Sequence, residues 1–188
     1  MAKLVFYYSS MNSGKSLSII TKNYMLNEKG FKTCILKPDI DNRSSGIKTR
    51  IGLEVDCTIV GKNELPSEKV LIAKNEKPDF ILVDEAQFMS SEQIWNLAEL
   101  VDSWDIDVLC YGLRIDWQGN FFTGSEVLMK IADELLPIEN FCKENKGAYA
   151  YFHVKKGGND NPVETGYEDL YDTVSRKVWK KWHDRKNK

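Results

Sequence analysis

The chain has 188 residues, 42% of them hydrophobic and 29% charged, with 26 Lys and Arg against 28 Asp and Glu for a formal net charge of −2. That length suits one domain, with room for a small appendage, and it can bury a core without disulfides. The near-neutral balance excludes a bulk basic field that would gather nucleic acid, and no apolar run approaches the ~20 residues of a membrane span.

The N-terminal "MAKLVFYY" lacks a signal-peptide layout, so the expected location is the cytoplasm. The four cysteines, Cys34, Cys57, Cys110 and Cys142, form no C-x-x-C pair. Cys34 and Cys110 lie in apolar runs and read as plain buried thiols. The basic C-terminal run "SRKVWKKWHDRKNK" reads as a solvated helix end.

In chain order, "KLVFYY" (3–8) predicts a buried strand that runs straight into a Gly-Lys-Ser turn. Leu17, Ile20, Tyr24 and Met25 then recur at helical spacing from Ser16 to about Glu28, with Gly30 as the stop. "KTCILKP" (32–38) is a second strand, "DIDNRSSGIKTR" (39–50) a polar loop, "CTIV" (57–60) a strand and 66–76 a helix opened by Pro66. "PDFILVDEAQF" (78–88) reads as an apolar strand ending in two acids. An amphipathic helix follows over 90–104, with Ser90 and Gln93 placed like a capping box. "DVLCYGL" (107–113) is another strand, "RIDWQGN" a loop and "GSEVLMKIADEL" (124–135) a helix.

Strands alternating with helices argue for an α/β fold, a mostly parallel sheet covered by helices on both faces. The alternation stops after about Leu136. "AYAYFHV" (148–154) looks extended, 155–166 is a Gly- and Pro-punctuated loop, and "YDTVSRKVWKKWH" is a terminal helix or strand. A boundary near Pro137–Cys142 is expected, giving a nucleotide-binding core (1–138) and a small C-terminal lobe (139–188).

The stretch "SSMNSGKS", Ser9 to Ser16, carries the chemistry at the N-terminus. A phosphate loop works because backbone N–H groups converge at a helix N-terminus, a Lys neutralises β/γ-phosphate charge, and a hydroxyl binds Mg²⁺. Ser9, Ser10, Met11, Asn12, Ser13, Gly14, Lys15 and Ser16 fill that role here, with Lys15 on phosphate and Ser16 on Mg²⁺. The usual first Gly is replaced by Ser9, a residue small enough for a tight turn. The strand before and helix after supply the context that a bare Gly-Lys-Ser lacks.

"ILVDEAQF" supplies the matching acids. Asp84 at a strand end can hold Mg²⁺, and Glu85 can polarise or deprotonate an attacking oxygen. Two classes share this pairing: nucleic-acid-stimulated ATPases, where the Glu activates water, and small kinases, where it takes a proton from a hydroxyl. One core and a charge of −2 favour the kinase.

Five segments, "MNSGKS", "LKPDIDNR", "VDEAQF", "YGLRIDWQGNFFTGS" and "ETGYEDLYDTVSRKVW", make the chain resemble the type II thymidine kinases, the group with a zinc-bearing lasso, over nearly its full length. Phage and bacterial members of that family also show small residues other than Gly at the Ser9 position. The resemblance implies transfer of the γ-phosphoryl of ATP to the 5′-hydroxyl of thymidine, with deoxyuridine as a second substrate and Glu85 as general base. It places Asp41, Arg43 and Gln87 near the nucleotide, and Met11, Leu113, Trp117, Phe122 and Tyr171 around the thymine. Trp117 stands where the family usually has Phe. Packed core aromatics are the plainer reading of Trp117 and Phe122, but the "DWQGNFF" context favours the pocket. Backbone groups of Pro162, Val163, Glu164, Thr165 and Gly166, the expected lasso, would bind the base edges. A homotetramer and feedback inhibition by thymidine triphosphate are implied as well, with no nucleic-acid or membrane partner.

One departure stands out. The family's four zinc-ligand positions read Cys142, Asn145, Ser175 and Val178, and His153 and His183 are not at the expected spacing. A structural zinc needs about four N/S ligands. No zinc is therefore expected, and an apolar cluster of Tyr149, Tyr151, Phe152, Val178, Trp179 and Trp182 is expected to hold the lobe instead.

Overall fold

A computed structural model describes residues 1–40, 46–73, 77–157 and 170–186. Asp41, Arg43 and the Pro162–Gly166 segment lie outside the described residues. The elements run β1 (Leu4–Ser9), α1 (Lys15–Glu28), β2 (Thr33–Pro38), β3 (Gly46–Lys48), β4 (Glu54–Asp56), β5 (Thr58–Val60), α2 (Pro66–Ala73) and β6 (Phe80–Val83). After a 3-10 turn at Ala86–Phe88 come α3 (Ser91–Trp104), β7 (Asp107–Leu113), α4 (Thr123–Ile131), β8 (Glu134–Pro137), β9 (Phe152–Lys155), β10 (Tyr171–Val174) and α5 (Arg176–Lys186).

Six strands form one sheet in the order β5-β2-β6-β7-β1-β8, and every pairing in it is parallel. Both faces are covered, which explains why the strands read as continuous apolar runs. Successive side chains point to opposite faces, so Leu4, Phe6, Cys34, Leu36, Ile81, Val83, Val108 and Cys110 meet α3 and α4 on one side. Val5, Ile35, Leu82, Leu109 and Tyr111 meet Ile19 of α1 on the other. The predicted capping box closes α3: Ser90 Oγ accepts from Gln93 N at 3.2 Å while Gln93 Oε1 accepts from Ser90 N at 3.0 Å.

Three segments differ from the sequence reading. Part of the 39–50 loop is strand: β3 pairs antiparallel with β4, and Ile47 is buried in the α1-side core. Three-residue strands are too short to show an alternation. The 124–135 helix stops at Ile131, where Asp133 pairs with β1 instead, its N–H reaching the Leu4 carbonyl at 2.8 Å and its carboxylate accepting from Leu4 N at 2.7 Å. Asp133 leads straight into β8, and the pairing of that strand with β1 outweighs the helix propensity of "ADEL". The 171–183 run is neither helix nor strand alone, but β10 followed by α5.

Beyond β8 the chain builds a separate small cluster. Cys142, Ala150, Val154 and Val174 are buried together, and Ala148, Phe152, Val178, Trp179 and Trp182 pack against them. β9 and β10 form an antiparallel ladder under α5. Tyr149 and Tyr151 lie outside this cluster and stack on one another at 5.9 Å, with Phe141 5.6 Å beyond Tyr149.

The start of α4 bears on the site. A Cβ on Gly124 would sit 2.2 Å from the Ala86 carbonyl oxygen and 3.0 Å from that of Met89. The helix thus presses backbone to backbone against the turn that follows Glu85, and only Gly permits it. Gly124→Ala should destabilise the fold by roughly 1–3 kcal/mol, as measured by denaturant unfolding. It should also lower turnover, because the displaced turn carries Glu85 with it.

Candidate active site

β1 ends in Ser9, and the chain reaches α1 through a loop whose left-handed residues are Asn12 (φ 58°) and Gly14 (φ 83°). Ser9 itself is the last residue of the strand and is buried, paired in register with Leu113. The position that usually holds Gly therefore makes no demand for positive φ here. Gly14 has no side chain to cap α1, which leaves the first-turn N–H groups available to an anion. Lys15 opens the helix with only 9% of its surface exposed, and Ser13 Oγ is buried with no hydrogen-bond partner among the described residues. Such a loop fits a bound polyphosphate better than it fits empty solvent.

The rest of the loop is gripped by the C-terminal part of the chain. Ser10 Oγ donates to the Ala150 carbonyl at 2.7 Å, and Met11 N donates to His153 Nε2 at 2.8 Å. The Met11 carbonyl accepts from Thr173 Oγ1 at 2.9 Å and from Asn140 Nδ2 at 3.1 Å. On the other side Arg50, at the head of the β3–β4 hairpin, donates to Asn12 Oδ1 at 2.8 Å.

The acids lie at the end of β6. Asp84 is buried, and its carboxyl is pushed up to about 7 by burial first and then by the Glu85 charge, with Lys15 and Lys37 acting against the rise. β7 separates β6 from β1 in the sheet, yet Asp84 still feels Lys15 across that gap. The Asp84 carboxylate and the Ser16 hydroxyl are hard oxygen donors of the kind Mg²⁺ takes.

Glu85 is half-buried with a left-handed backbone (φ 51°), unusual for a residue with a side chain. Sparse conformations of this kind cluster at working sites. The Gln87 amide nitrogen donates to Glu85 Oε2, while Gln87 Oε1 accepts from Leu113 N at 3.0 Å. Gln87 is buried, and both ends of its amide are occupied. It aims the Glu85 carboxylate and ties it to the strand end that carries Leu113.

Around the opposite side, Asp116 holds the 114–120 loop by accepting from Gln118 N at 2.9 Å and Asn120 N at 2.8 Å. Trp117 on that loop is 6% exposed, set edge-on to Trp182 and stacked with His183. Its carbonyl accepts from Trp179 Nε1 at 3.0 Å. Core packing therefore accounts for much of Trp117. Phe122 lies edge-on to Phe88 at 5.5 Å. Tyr171 is buried with its hydroxyl lacking a partner among the described residues, and Lys155 Nζ lies 5.7 Å from its ring and 5.9 Å from that of Trp117.

The structure thus links Lys15 with Asp84, Glu85 with Gln87 and Leu113, and Met11 with β9 and β10. Trp117 and Tyr171 share Lys155 as a neighbour. Asn140, His153 and Thr173 escaped the sequence reading as neighbours of the phosphate loop. A His inside an apolar strand run was the one signal available. His153 is held well below its ordinary value, at about 4, by burial and then by the Lys15 charge, so it is neutral at physiological pH.

The positions matched to zinc ligands supply a single thiol. Burial pushes the Cys142 thiol up, but backbone N–H groups of Ser175, Asn145 and Glu144 outweigh it and leave the thiol below its ordinary value. Among the described residues no three His, Cys, Asp or Glu side chains converge as a metal cluster would require. No helix among the described residues is long and apolar enough to cross a membrane.

A family model described as thymidine kinase matches residues 2–179. The thymidine kinase of Xanthomonas campestris pv. campestris is 40% identical over 189 residues, covering 96% of this chain and 90% of its own. That of Photobacterium profundum is 36% identical over 187 residues, covering 96% and 97%. That of Shewanella oneidensis is 36% identical over 189 residues, covering 97% and 98%. Among solved structures, Bacteroides Pif1 bound to single-stranded DNA aligns with a TM-score of 0.39 at 15% identity, over 72% of this chain and 38% of that one.

Proposed function

The chain belongs to the thymidine kinase family and phosphorylates thymidine, and we propose that Glu85 is the base that takes the proton from the thymidine 5′-hydroxyl as the γ-phosphoryl of ATP is transferred. The observation that carries this reading is the Glu85–Gln87–Leu113 chain of hydrogen bonds, which holds one carboxylate at the strand ends where nucleoside and triphosphate would meet.

Phosphoryl transfer proceeds through a loose transition state, so the protein contributes mainly position and charge. In this reading Lys15 and the N–H groups of the α1 turn stabilise the β- and γ-phosphates. Mg²⁺, when bound, supplies charge neutralisation at the phosphate oxygens, and Ser16 and Asp84 are the residues to hold it. Asp41 and Arg43 approach the same phosphates. Met11, Leu113, Trp117, Phe122 and Tyr171 enclose the base, and the backbone of 162–166 binds its polar edge. Deoxyuridine is a second substrate, the active unit is a homotetramer in the cytoplasm, and thymidine triphosphate inhibits by occupying the substrate sites.

In this reading residues 139–188 form a lobe of their own, held by the apolar cluster around Trp179 rather than by zinc. Treatment with a strong chelator, followed by dialysis and return of Mg²⁺, should leave both the melting temperature and the turnover unchanged. A loss of either that zinc restores would sink the metal-free reading.

The experiment for the reaction is ADP release from Mg·ATP with thymidine, deoxycytidine, single-stranded DNA or no addition. Release should depend on thymidine. Release driven by DNA would instead make Glu85 the activator of water in an ATPase.

A further inference from the structure

We propose that His153 is a positioning residue for this reaction, a two-ended strut that sets the distance between the phosphate loop and the loop bearing Trp117. The inference rests on the reading of residues 9–16 as the phosphate loop. His153 sits in β9 with 2% of its surface exposed. Its Nε2 accepts the Met11 N–H at 2.8 Å, and the ring donates in turn to the Ile115 carbonyl. Both ring nitrogens are therefore in use, each on the backbone of a different loop. One loop follows β1 and the other follows β7, and a single rigid ring joins them.

The rest of the Met11 peptide is held from the same side. Thr173 Oγ1 and Asn140 Nδ2 both donate to the Met11 carbonyl. Neither the N–H nor the C=O of Met11 is left to turn toward a phosphate, so the converging N–H groups begin beyond it, at Asn12 and the α1 turn. Only a neutral imidazole can accept at Nε2, and the burial and nearby Lys15 charge described above keep it neutral. A ring that merely filled the core would not need an acceptor at one end and a donor at the other.

Substitution can separate the two ends. The side-chain carbonyl of Gln reaches the place of Nε2, whereas Asn reaches only the place of Nδ1. We would measure kcat, the KM values for thymidine and ATP, and melting temperature for His153→Gln, His153→Asn and His153→Leu. Of the two ends, the one at Met11 fixes the loop that meets the phosphates and is the costlier to lose. His153→Gln, which keeps it and gives up the Ile115 end, should lower kcat by no more than about threefold. His153→Asn and His153→Leu, which give it up, should lose about 10- to 100-fold through misplacement of the loop. Asn equal to Gln, or all three within threefold of the unsubstituted enzyme, would overturn the strut. Should these variants fold poorly, Thr173→Val removes one hydroxyl from the other end of the Met11 peptide. It should lower kcat by about 3- to 10-fold, and no change would count against the strut. If the unsubstituted chain shows no thymidine-dependent transfer, the reading of the site itself fails, a result distinct from silent variants of an active enzyme.

Discussion

Glu85→Gln lowers kcat by about 10²- to 10⁴-fold while the KM for thymidine stays within about threefold. The substitution preserves size and the left-handed backbone, and the new amide oxygen can still accept from Gln87. What it removes is the capacity to take a proton. A base acts in the transition state and contributes little to ground-state binding, so the loss falls on turnover. Steady-state rates at saturating Mg·ATP, with thymidine varied, read both constants at once. A kcat within threefold of the unsubstituted enzyme would take Glu85 out of the base role and move attention to Asp84.

Lys15→Ala should lower kcat by at least about 10²- to 10³-fold, the scale seen when one preorganised charge donor is removed from a transition state. Lys15 is nearly buried at the first position of α1, beside a helix end that carries partial positive charge of its own. Its ammonium is thus a desolvated point charge, worth more than one in open water. The variant should stay folded, since truncating the side chain leaves backbone N–H groups intact. Unfolding at the same denaturant concentration as the parent, together with lost turnover, is the expected pair of results. A Lys15→Ala enzyme with ordinary turnover would overturn the phosphate-loop reading.

Lys15, Ser16, Asp84 and Glu85 could be singled out as candidates in the sequence because the chemistry allows few residue types and the strand–turn–helix context limits where they stand. The two-faced parallel sheet was legible for a similar reason: alternating buried positions leave a continuous apolar run. Ser90 and Gln93 announced the start of α3 within four residues. Partners far apart in sequence left no such trace. Nothing local to Asp133 says that β1 will claim it, and nothing local to Thr173 or Asn140 points to Met11, 162 and 129 positions away. Trp117 was visible as a loop aromatic, but its packing against Trp182 and His183 depends on a helix that begins some sixty residues later.

The grip of the last third of the chain on the first loop has a consequence for biosynthesis. During translation β1 leaves the ribosome early, but the residues that hold Ser10 and Met11 emerge only with Asn140, Ala150, His153 and Thr173. Contacts of such long sequence separation are entropically slow to close. The nascent polypeptide therefore carries its Gly-Lys-Ser turn in an unfinished state until β9 and β10 have been made. A product ending before β10 would have the full Gly-Lys-Ser signature without the Thr173 contact that fixes the Met11 carbonyl.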